Sequence, residues 1–286
     1  MGLTKKLIEV IEGRYSLTGG ELNRLIEAAR MNKILLGFLR RANISTGLRR
    51  IEEIRYAKYM NLVKEVADLL NDLNYALYKF RKPIEHVSVD IDILIDKEDI
   101  DKALDRLLKY GFKPVVIEPY TATLQKDGIP IDLYTQPAFA WVIYLDGEDL
   151  LRHHVEVMNL NGVEAKVITK DAEVISVASH AVYKEHIYLL ADYFTIKKWM
   201  DSKAVELAKK YNVKDSLAVA IKLNEIIDSG IVEAPIKLDI PLITKTYINK
   251  FIKDNIFRAT SINLIKYIRR GGFGKRLIDR IIRKTY

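Results

Sequence analysis

The sequence predicts an α+β protein with a central mixed β-sheet, flanking helices, a helical N-terminal arm and a helical C-terminal half. Apolar residues recur at helical spacing near both ends of the chain. Strict apolar–polar alternation runs from Val87 to Ile95, and two Asx-Gly pairs, Asp127-Gly128 and Asn161-Gly162, each separate two alternating segments. We expect three domains: a helical segment (1–70), an α/β core (71–170) and a helical domain with a basic tail (171–286).

Composition places the chain among folded, globular proteins. Of its 286 residues, 49% are hydrophobic and 29% charged. Cysteine is absent, which excludes disulfides and thiolate metal sites. The N-terminus does not resemble a signal peptide, and no apolar run approaches the length of a transmembrane segment. These features predict a cytoplasmic protein.

The net charge of +8 favours a polyanionic partner such as an NTP, RNA or DNA. The alternative is a lysine-rich surface typical of heat-adapted proteins, because the chain is also rich in Ile and Glu. Net charge alone does not separate these interpretations.

The N-terminal arm is predicted to be helical to about residue 78. Leu22, Leu25, Ile26 and Ala29 recur at helical spacing, and a longer amphipathic stretch follows from Ile51. The period then changes to two between Val87 and Ile95, which predicts a strand with one buried face.

Two aspartates, Asp90 and Asp92, project from the polar face of that strand, while Val89, Ile91 and Ile93 are expected to anchor the other face in the core. A helix should follow, with Asp96 as its N-cap and Asp99 in its first turn, and should end before Gly111.

Two hairpins are predicted next, 121–134 and 155–168. Asp132 lies on the polar side of the first, and Pro130 indicates an edge strand or a strand start. Trp141–Leu145 is a further strand candidate. Pairing beside the first strand would bring Asp132 to Asp90 and Asp92.

Such a cluster is suited to hard divalent cations. Neighbouring carboxylates repel unless a cation lies between them, and three can hold two Mg²⁺ ions for phosphoryl chemistry. The alternative is that each aspartate belongs to an ordinary solvated face.

Beyond Asp171 the chain is predicted to be helical to its end. Cations crowd the final segment, and the nucleic-acid-binding candidates are Arg269, Arg270, Lys275, Arg276, Arg280 and Arg283. This basic amphipathic tail suits an RNA backbone, an acidic partner protein or a membrane surface; a solvated helix face is the alternative.

The segment from Tyr78 to Ile95 resembles the Asp-x-Asp strand of the DNA polymerase β-like nucleotidyltransferase superfamily. Ile131-Asp132-Leu133 resembles the third-carboxylate strand, and Val174–His180 the helix after the sheet. The chain is most similar to the family of uncharacterised nucleotidyltransferases, over about residues 20 to 220. The resemblance implies a nucleotidyltransferase-like sheet and Mg²⁺ (or Mn²⁺) held by Asp90, Asp92 and Asp132, with Asp132 helping to activate the acceptor hydroxyl.

The superfamily's Gly-Ser pair before the Asp-x-Asp strand, which holds the triphosphate, is absent. Lys79, Arg81 and Lys82 occupy this region and could supply positive charge instead. The further nucleotide-binding candidates are Ser88, His180 and Lys184. For His180 and the loop cations, the alternatives are a core histidine and a solvated loop.

The expected function is Mg²⁺-dependent transfer of an NMP from an NTP such as ATP to a hydroxyl acceptor. RNA, above all tRNA, is the preferred acceptor and a protein hydroxyl the second; the chemistry also fits the toxin of a toxin–antitoxin pair. The alternative is a catalytically degenerate module of the same fold that binds nucleic acid or a partner protein.

Overall fold

The computed structural model describes residues 1–15, 17, 19–271 and 274–275. The predicted α+β class is confirmed, with a mixed β-sheet between helical layers. The strands are β1 (Tyr75–Leu77), β2 (Ile91–Ile95), β3 (Lys113–Glu118), β4 (Thr121–Lys126), β5 (Ile129–Tyr134), β6 (Ala138–Phe139), β7 (Val142–Ile143), β8 (Val155–Leu160), β9 (Val163–Ile168), β10 (Ile187–Tyr188) and β11 (Ile236–Lys237). The N-terminal and central helices are α1 (Leu3–Ile11), α2 (Leu22–Met31), α3 (Leu35–Arg41), α4 (Gly47–Leu69), α5 (Ile100–Lys109) and α6 (Gly147–His153). The later helices are α7 (Lys170–His180), α8 (Leu190–Trp199), α9 (Ser202–Lys210), α10 (Lys214–Ser229), α11 (Ile240–Lys253), α12 (Asn255–Ser261) and α13 (Asn263–Arg269).

The main sheet has seven strands in the order β3-β4-β5-β2-β1-β9-β8. Strand β2 pairs antiparallel with β1 and parallel with β5, so the sheet is mixed at its centre. The β2–β5 register places Asp92 directly beside Asp132. The hairpin β6–β7 and the antiparallel pair β10–β11 lie outside this sheet.

Alternation along β2 distributes its side chains between two cores. Ile91, Ile93 and Ile95 pack against α4 and α5, whereas Leu94 faces the core formed with the helical C-terminal half. Helices α1–α3 contribute to that second core. Asp92 shares the face of Leu94, so its carboxylate points into the space between the sheet and α7.

Both predicted hairpins are confirmed with their turns. Asp127 and Gly128 have φ of 52° and 82°, and Asn161 and Gly162 have 52° and 96°. Positive φ at both central residues is the geometry for which Asx-Gly is favoured, because it matches the twist of the flanking strands.

The first strand starts later than expected. Strand β2 begins at Ile91, so Asp90 precedes it, and Val89 is 60% exposed instead of anchored in the core. Pro130 lies near the start of an interior strand, as one predicted alternative has it, and not on an edge strand.

Three other predictions differ from the structure. Helix α5 begins at Ile100, with Asp99 instead of Asp96 at its N-cap position. Residues 75–77 form β1 where a helix was expected; all three are buried, and a short apolar run has no periodicity that separates strand from helix. Trp141–Leu145 contains only the two-residue strand β7, and β3 was not predicted.

The C-terminal half contains the predicted succession of helices, and α7 continues into a π-helical turn, Ala181–Glu185. Within the described ranges, no helix has the length and apolar character needed to cross a membrane. The division into three domains stays a prediction.

Candidate metal and nucleotide site

Three carboxylates meet where β2 runs beside β5. One oxygen from each of Asp90, Asp92 and Asp132 lies within 4.8 Å of the others. The arrangement follows from the parallel register, which sets Asp92 beside Asp132, and from the chain entering β2 at Asp90.

Asp92 forms the most buried ion pair of the cluster. The Nζ atom of Lys79 lies 2.8 Å from its Oδ2 atom, and each side chain is 11% exposed. Burial raises the pKa of Asp92, but the charges of Lys79 and Lys184, with a hydrogen bond from Lys79, together outweigh it and hold the pKa at about 2. The Oδ1 atom is buried and has no hydrogen-bond partner among the described residues.

Asp132 is held by hydrogen bonds from two neighbouring side chains. The Thr123 hydroxyl donates to Oδ1 over 2.6 Å, and the Tyr134 hydroxyl to Oδ2 over 3.0 Å. Lys184 in turn donates to the Tyr134 hydroxyl over 3.2 Å. Burial and the nearby aspartates raise the pKa of Tyr134 well above its usual value, so it remains a donor.

Asp90 accepts a hydrogen bond from the Ser88 hydroxyl over 3.1 Å. Burial and the charge of Asp92 raise its pKa, and Lys79 only partly opposes them. A raised pKa beside a depressed one is typical of carboxylates that repel each other, and a bound cation would relieve the repulsion.

His180, at the end of α7, closes the site from the helical side. Its Nδ1 atom lies 3.4 Å from the Nζ atom of Lys79 and 3.5 Å from the Tyr144 hydroxyl. Burial and the Lys79 charge hold its pKa well below the usual value, so the ring is neutral. A neutral ring can accept a hydrogen bond from the lysine.

Lys33, in the turn between α2 and α3, is a cation that the sequence analysis missed. Burial lowers its pKa, while the charges of Asp90 and Asp192 oppose that shift. The charge of Lys82 lowers the pKa of both Lys33 and Asp192. The charges of Lys33 and Lys79 both act on Asp90, and both lower its pKa.

Arg81 is held away from the carboxylate cluster. Its guanidinium group pairs with Glu156 and lies 5.9 Å from the Trp199 ring. Its backbone N–H donates to the Oε1 atom of Glu173 over 3.0 Å. Glu173 is fully buried, which raises its pKa to about 7.

Two cavities flank the cluster on opposite sides along the sheet. The first, of about 260 Å³, lies towards β1 and β8 and is called the β1-side cavity. Its lining includes Tyr56, Tyr59, Lys79, Phe80, Arg81, Lys82, His86, Ser88 and Trp199. The second, of about 310 Å³, lies towards β4 and is called the β4-side cavity. Its lining includes Glu118, Thr121, Thr123, Asp132, Tyr134, Phe139, Lys184 and Tyr267.

The predicted nucleic-acid-binding residues lie apart from the aspartates along the chain. Arg269, Arg270 and Lys275 are exposed, and the guanidinium carbon of Arg270 lies 5.5 Å from the Trp141 ring. Arg276, Arg280 and Arg283 lie outside the described residues. Tyr267 connects α13 to the β4-side cavity.

The solved structures to which the chain is weakly similar include two named proteins. One is the antibiotic-resistance factor ANT(2'')-Ia, at 11% identity and a TM-score of 0.35 over 61% of this chain and 95% of that chain. The other is an antigenic nucleotidyltransferase-like protein from Paracoccidioides brasiliensis, at 14% identity and a TM-score of 0.32 over 73% of this chain and 93% of that chain. No family model matches the chain, and no curated protein matches its sequence. The function is therefore argued from the residues of the site.

The site thus combines oxygen ligands, partly buried cations and a cavity on each side of the ligands. Carboxylate oxygens suit a hard divalent ion, and lysines near the same point suit phosphate oxygens. Thr123, Tyr134, Tyr144 and Lys33 are the members that sequence analysis missed. Thr123 carried a usable signal, because counting back from the Asp127-Gly128 turn pairs it with Asp132.

Proposed function

We propose that this chain is a nucleotidyltransferase that moves an NMP from an NTP to a hydroxyl acceptor, with Mg²⁺ or Mn²⁺ held by Asp90, Asp92 and Asp132. One observation carries the proposal. Three carboxylates, two on the neighbouring strands β2 and β5 and one just before β2, converge within 4.8 Å, and one of their oxygens is buried without a partner among the described residues.

The carboxylate cluster fits a hard divalent cation. Its donors are all oxygen atoms, and the buried Oδ1 atom of Asp92 has the unsatisfied lone pairs that a ligand atom requires. The hydrogen bonds from Thr123 and Tyr134 would hold the Asp132 carboxylate in place, as outer-shell partners do in metal sites. A bound divalent ion would supply charge neutralisation at the phosphoryl oxygens.

Lysines would take the place of a Gly-Ser loop in binding the triphosphate. Lys79 and Lys33 lie beside the carboxylates, and Lys82 lines the β1-side cavity. Charge-assisted hydrogen bonds from lysine to phosphate are shorter and stronger than neutral ones. The aromatic residues Phe80 and Trp199 in the same cavity offer apolar surface for a nucleobase.

The two cavities support a division between donor and acceptor. The β1-side cavity contains Ser88 and the lysine Lys79, which favours the NTP. The β4-side cavity contains Asp132, the carboxylate expected to help activate the acceptor hydroxyl. Holding both reactants beside one cluster lowers the barrier through orientation.

The acceptor is proposed to be RNA, with tRNA first, and a protein hydroxyl second. Exposed Arg269 and Lys275 give positive charge near the end of the described chain, and Tyr267 of the same segment lines the β4-side cavity. Use as a toxin would rest on this same transfer. The cytoplasmic location and ATP as donor also stay predictions.

The ion pair between Lys79 and Asp92 favours a second candidate, a catalytically degenerate module. A lysine ammonium group already neutralises one carboxylate of the cluster, so the affinity of the cluster for a divalent cation is lower. Such a module would bind nucleic acid or a partner protein without transfer.

Label transfer from each of the four α-labelled NTPs tests the proposal. Mg²⁺ or Mn²⁺ is supplied, and total tRNA and the protein itself are offered as acceptors. We expect label on one acceptor that is lost in the Asp90→Asn, Asp92→Asn double variant and kept in Asp105→Asn, an exposed aspartate on α5. Absence of transfer from all four NTPs, with tRNA binding unchanged in the double variant, would instead support the degenerate module.

A further inference from the structure

Helix α7 ends in an irregular turn that brings charged side chains to the carboxylate site. The turn, Ala181–Glu185, is π-helical and follows His180, the last residue of α7. Lys184 in this turn donates to the Tyr134 hydroxyl beside the cluster. Glu185 closes the turn, and its side chain is only 6% exposed. A glutamate is rarely buried to this extent unless a partner compensates for its desolvation.

The π-helical geometry brings Glu185 to the ring of His180. In a regular α-helix each residue advances by about 100°, so a residue five positions further on points about 140° away from the first. A turn closed by i→i+5 hydrogen bonds instead returns that residue to the side of the first. The Oε1 atom of Glu185 accordingly lies 3.4 Å from the Nε2 atom of His180. Turns of this kind occur frequently at functional sites.

The two nitrogens of the His180 ring face groups of opposite charge. The Nζ atom of Lys79 lies 3.4 Å from Nδ1, whereas the Glu185 carboxylate lies 3.4 Å from Nε2. A lysine ammonium group can only donate, so Nδ1 has to provide a lone pair. A carboxylate beside Nε2 stabilises a proton on that nitrogen. Both neighbours therefore favour the same neutral tautomer, in which the proton is on Nε2.

Lys79 is held between His180 and the carboxylate cluster. Its backbone φ of 53° is uncommon for a residue other than glycine, and such conformations are found preferentially at ligand-binding sites. Its Nζ atom lies 2.8 Å from the Oδ2 atom of Asp92 and 3.4 Å from the Nδ1 atom of His180. An ammonium group has three protons to donate, so it can hold a phosphate oxygen and still keep its contact with the histidine.

We infer that Glu185 is a positioning residue for nucleotide binding, and that it acts through His180 on Lys79. The carboxylate holds the ring with the Nδ1 lone pair towards the lysine. The ring then keeps the ammonium group in place when a phosphate oxygen replaces Asp92 as its partner. A long side chain that is already ordered loses less entropy when it binds a ligand. The inference rests on the proposed function in one respect, the contact between Lys79 and a nucleotide phosphate.

The tautomer of His180 tests the first step without any nucleotide. The chain has five histidines, so ¹⁵N NMR of histidine-labelled protein can resolve the ring nitrogens, and His180→Asn identifies the signals of His180. We expect the proton on Nε2 in the wild type at neutral pH. The resonance of this proton should move to lower chemical shift in Glu185→Gln, because a charged acceptor is replaced by a neutral one. A proton on Nδ1, or an Nε2 proton indifferent to Glu185→Gln, would overturn the inference.

Affinity for nucleotide tests the second step. ATP, GTP, CTP and UTP are titrated in turn into the full chain with Mg²⁺ and without an acceptor, and binding is measured by isothermal titration calorimetry. We expect Glu185→Gln to weaken NTP binding by about tenfold or more, as the loss of an outer-shell partner does in metal sites. Glu65→Gln is the matched control and should bind like the wild type, because Glu65 is a half-buried glutamate of α4 that pairs with Lys126. Equal affinity of Glu185→Gln and the wild type would refute the positioning role.

A double-mutant cycle separates positioning through His180 from a direct effect of Glu185. In a His180→Leu background, Glu185→Gln should cause no further loss of NTP affinity. Fully additive losses would show that Glu185 acts elsewhere and would overturn the inference. His180→Asn should keep much of the affinity that His180→Leu loses, because the Asn Oδ1 atom can accept from Lys79 in place of Nδ1. If Glu185→Gln fails to fold, this pair decides together with the wild-type tautomer, and equal losses in both His180 variants would count against the inference.

Failure of this inference is distinct from failure of the transferase proposal. A wild type that binds an NTP with the expected dependence on Glu185, but transfers no label, would refute the transferase and support the inference. Label transfer that Glu185→Gln leaves unchanged in both kcat and KM would refute the inference and support the transferase. A wild type that binds none of the four NTPs would overturn both.

Discussion

Replacement of Lys79 by methionine removes the cation that neutralises Asp92. The pair is separated by 2.8 Å, and each side chain is only 11% exposed. Leaving one partner of a buried pair uncompensated costs about 3–5 kcal/mol. The net lowering of the Asp92 pKa, from 3.8 to about 2, corresponds to about 2 kcal/mol. We therefore expect Lys79→Met to lower the free energy of unfolding by about 3 kcal/mol at neutral pH without metal.

The loss should depend on pH in a defined direction. Because the folded-state pKa of Asp92 is depressed, its stabilisation is present above the unfolded pKa of 3.8 and is lost as the pH falls through about 2. The unfolding free energies of the wild type and of Lys79→Met should consequently converge as the medium is acidified over this window. The measurement is urea unfolding followed by circular dichroism, in buffer containing EDTA.

Magnesium should restore much of what Lys79→Met loses. Removal of the lysine charge makes the carboxylate cluster more negative, so the variant should bind Mg²⁺ at least tenfold more tightly and gain about 1.4 kcal/mol more than the wild type at saturating metal. Lys166→Met is the matched control, because Lys166 is a half-buried lysine of the same sheet that donates to the Leu73 carbonyl. Equal stabilisation of the wild type and Lys79→Met by Mg²⁺ would refute the reasoning, as would a loss below about 1 kcal/mol in metal-free buffer.

Substitutions elsewhere in the chain test three other features of the structure. The wild type should lose about 3 kcal/mol of stability as pH rises from 4.5 through about 7, because burial raises the pKa of Glu173 and favours its protonated form. Glu173→Gln should abolish this pH dependence, which denaturant unfolding between pH 4 and 8 measures. Gly128→Ala, at φ of 82°, should cost about 1 kcal/mol, whereas Gly47→Ala at the start of α4 should stabilise by a few tenths, as thermal unfolding will show. Thr123→Val removes the hydroxyl that holds Asp132, so we expect a lower kcat for label transfer and an unchanged KM for the NTP; a raised KM alone would contradict the assigned position of Asp132.

The carboxylate cluster was accessible from sequence because local patterns determine it. Alternation around Asp92 fixes which face its side chain takes, and the Asp127-Gly128 turn fixes the register that puts Asp132 on the corresponding face. The parallel pairing of β2 with β5 then follows only if the two strands are neighbours. The sequence analysis stated that pairing as a condition, and the fold meets it.

The position of Lys33 and the strand β1 could not be predicted from local patterns in the same way. Lys33 lies in a turn between two helices, and its proximity to Asp90 arises when α2 and α3 pack against the helical C-terminal half. Strand β1 is three buried residues, too short for periodicity to identify. Long-range packing decides both features, and no pattern within either segment reports it.

The Lys79–Asp92 ion pair is the feature on which transferase and degenerate module differ. In a transferase, Lys79 would exchange its carboxylate partner for a phosphate oxygen when nucleotide and metal enter, and the net change in charge pairing would be small. In a degenerate module, the pair would persist and keep the cluster neutralised. Lys79→Met separates these cases, although tighter Mg²⁺ binding is expected in both. Loss of label transfer and weaker NTP binding would accompany it only if Lys79 contacts phosphate.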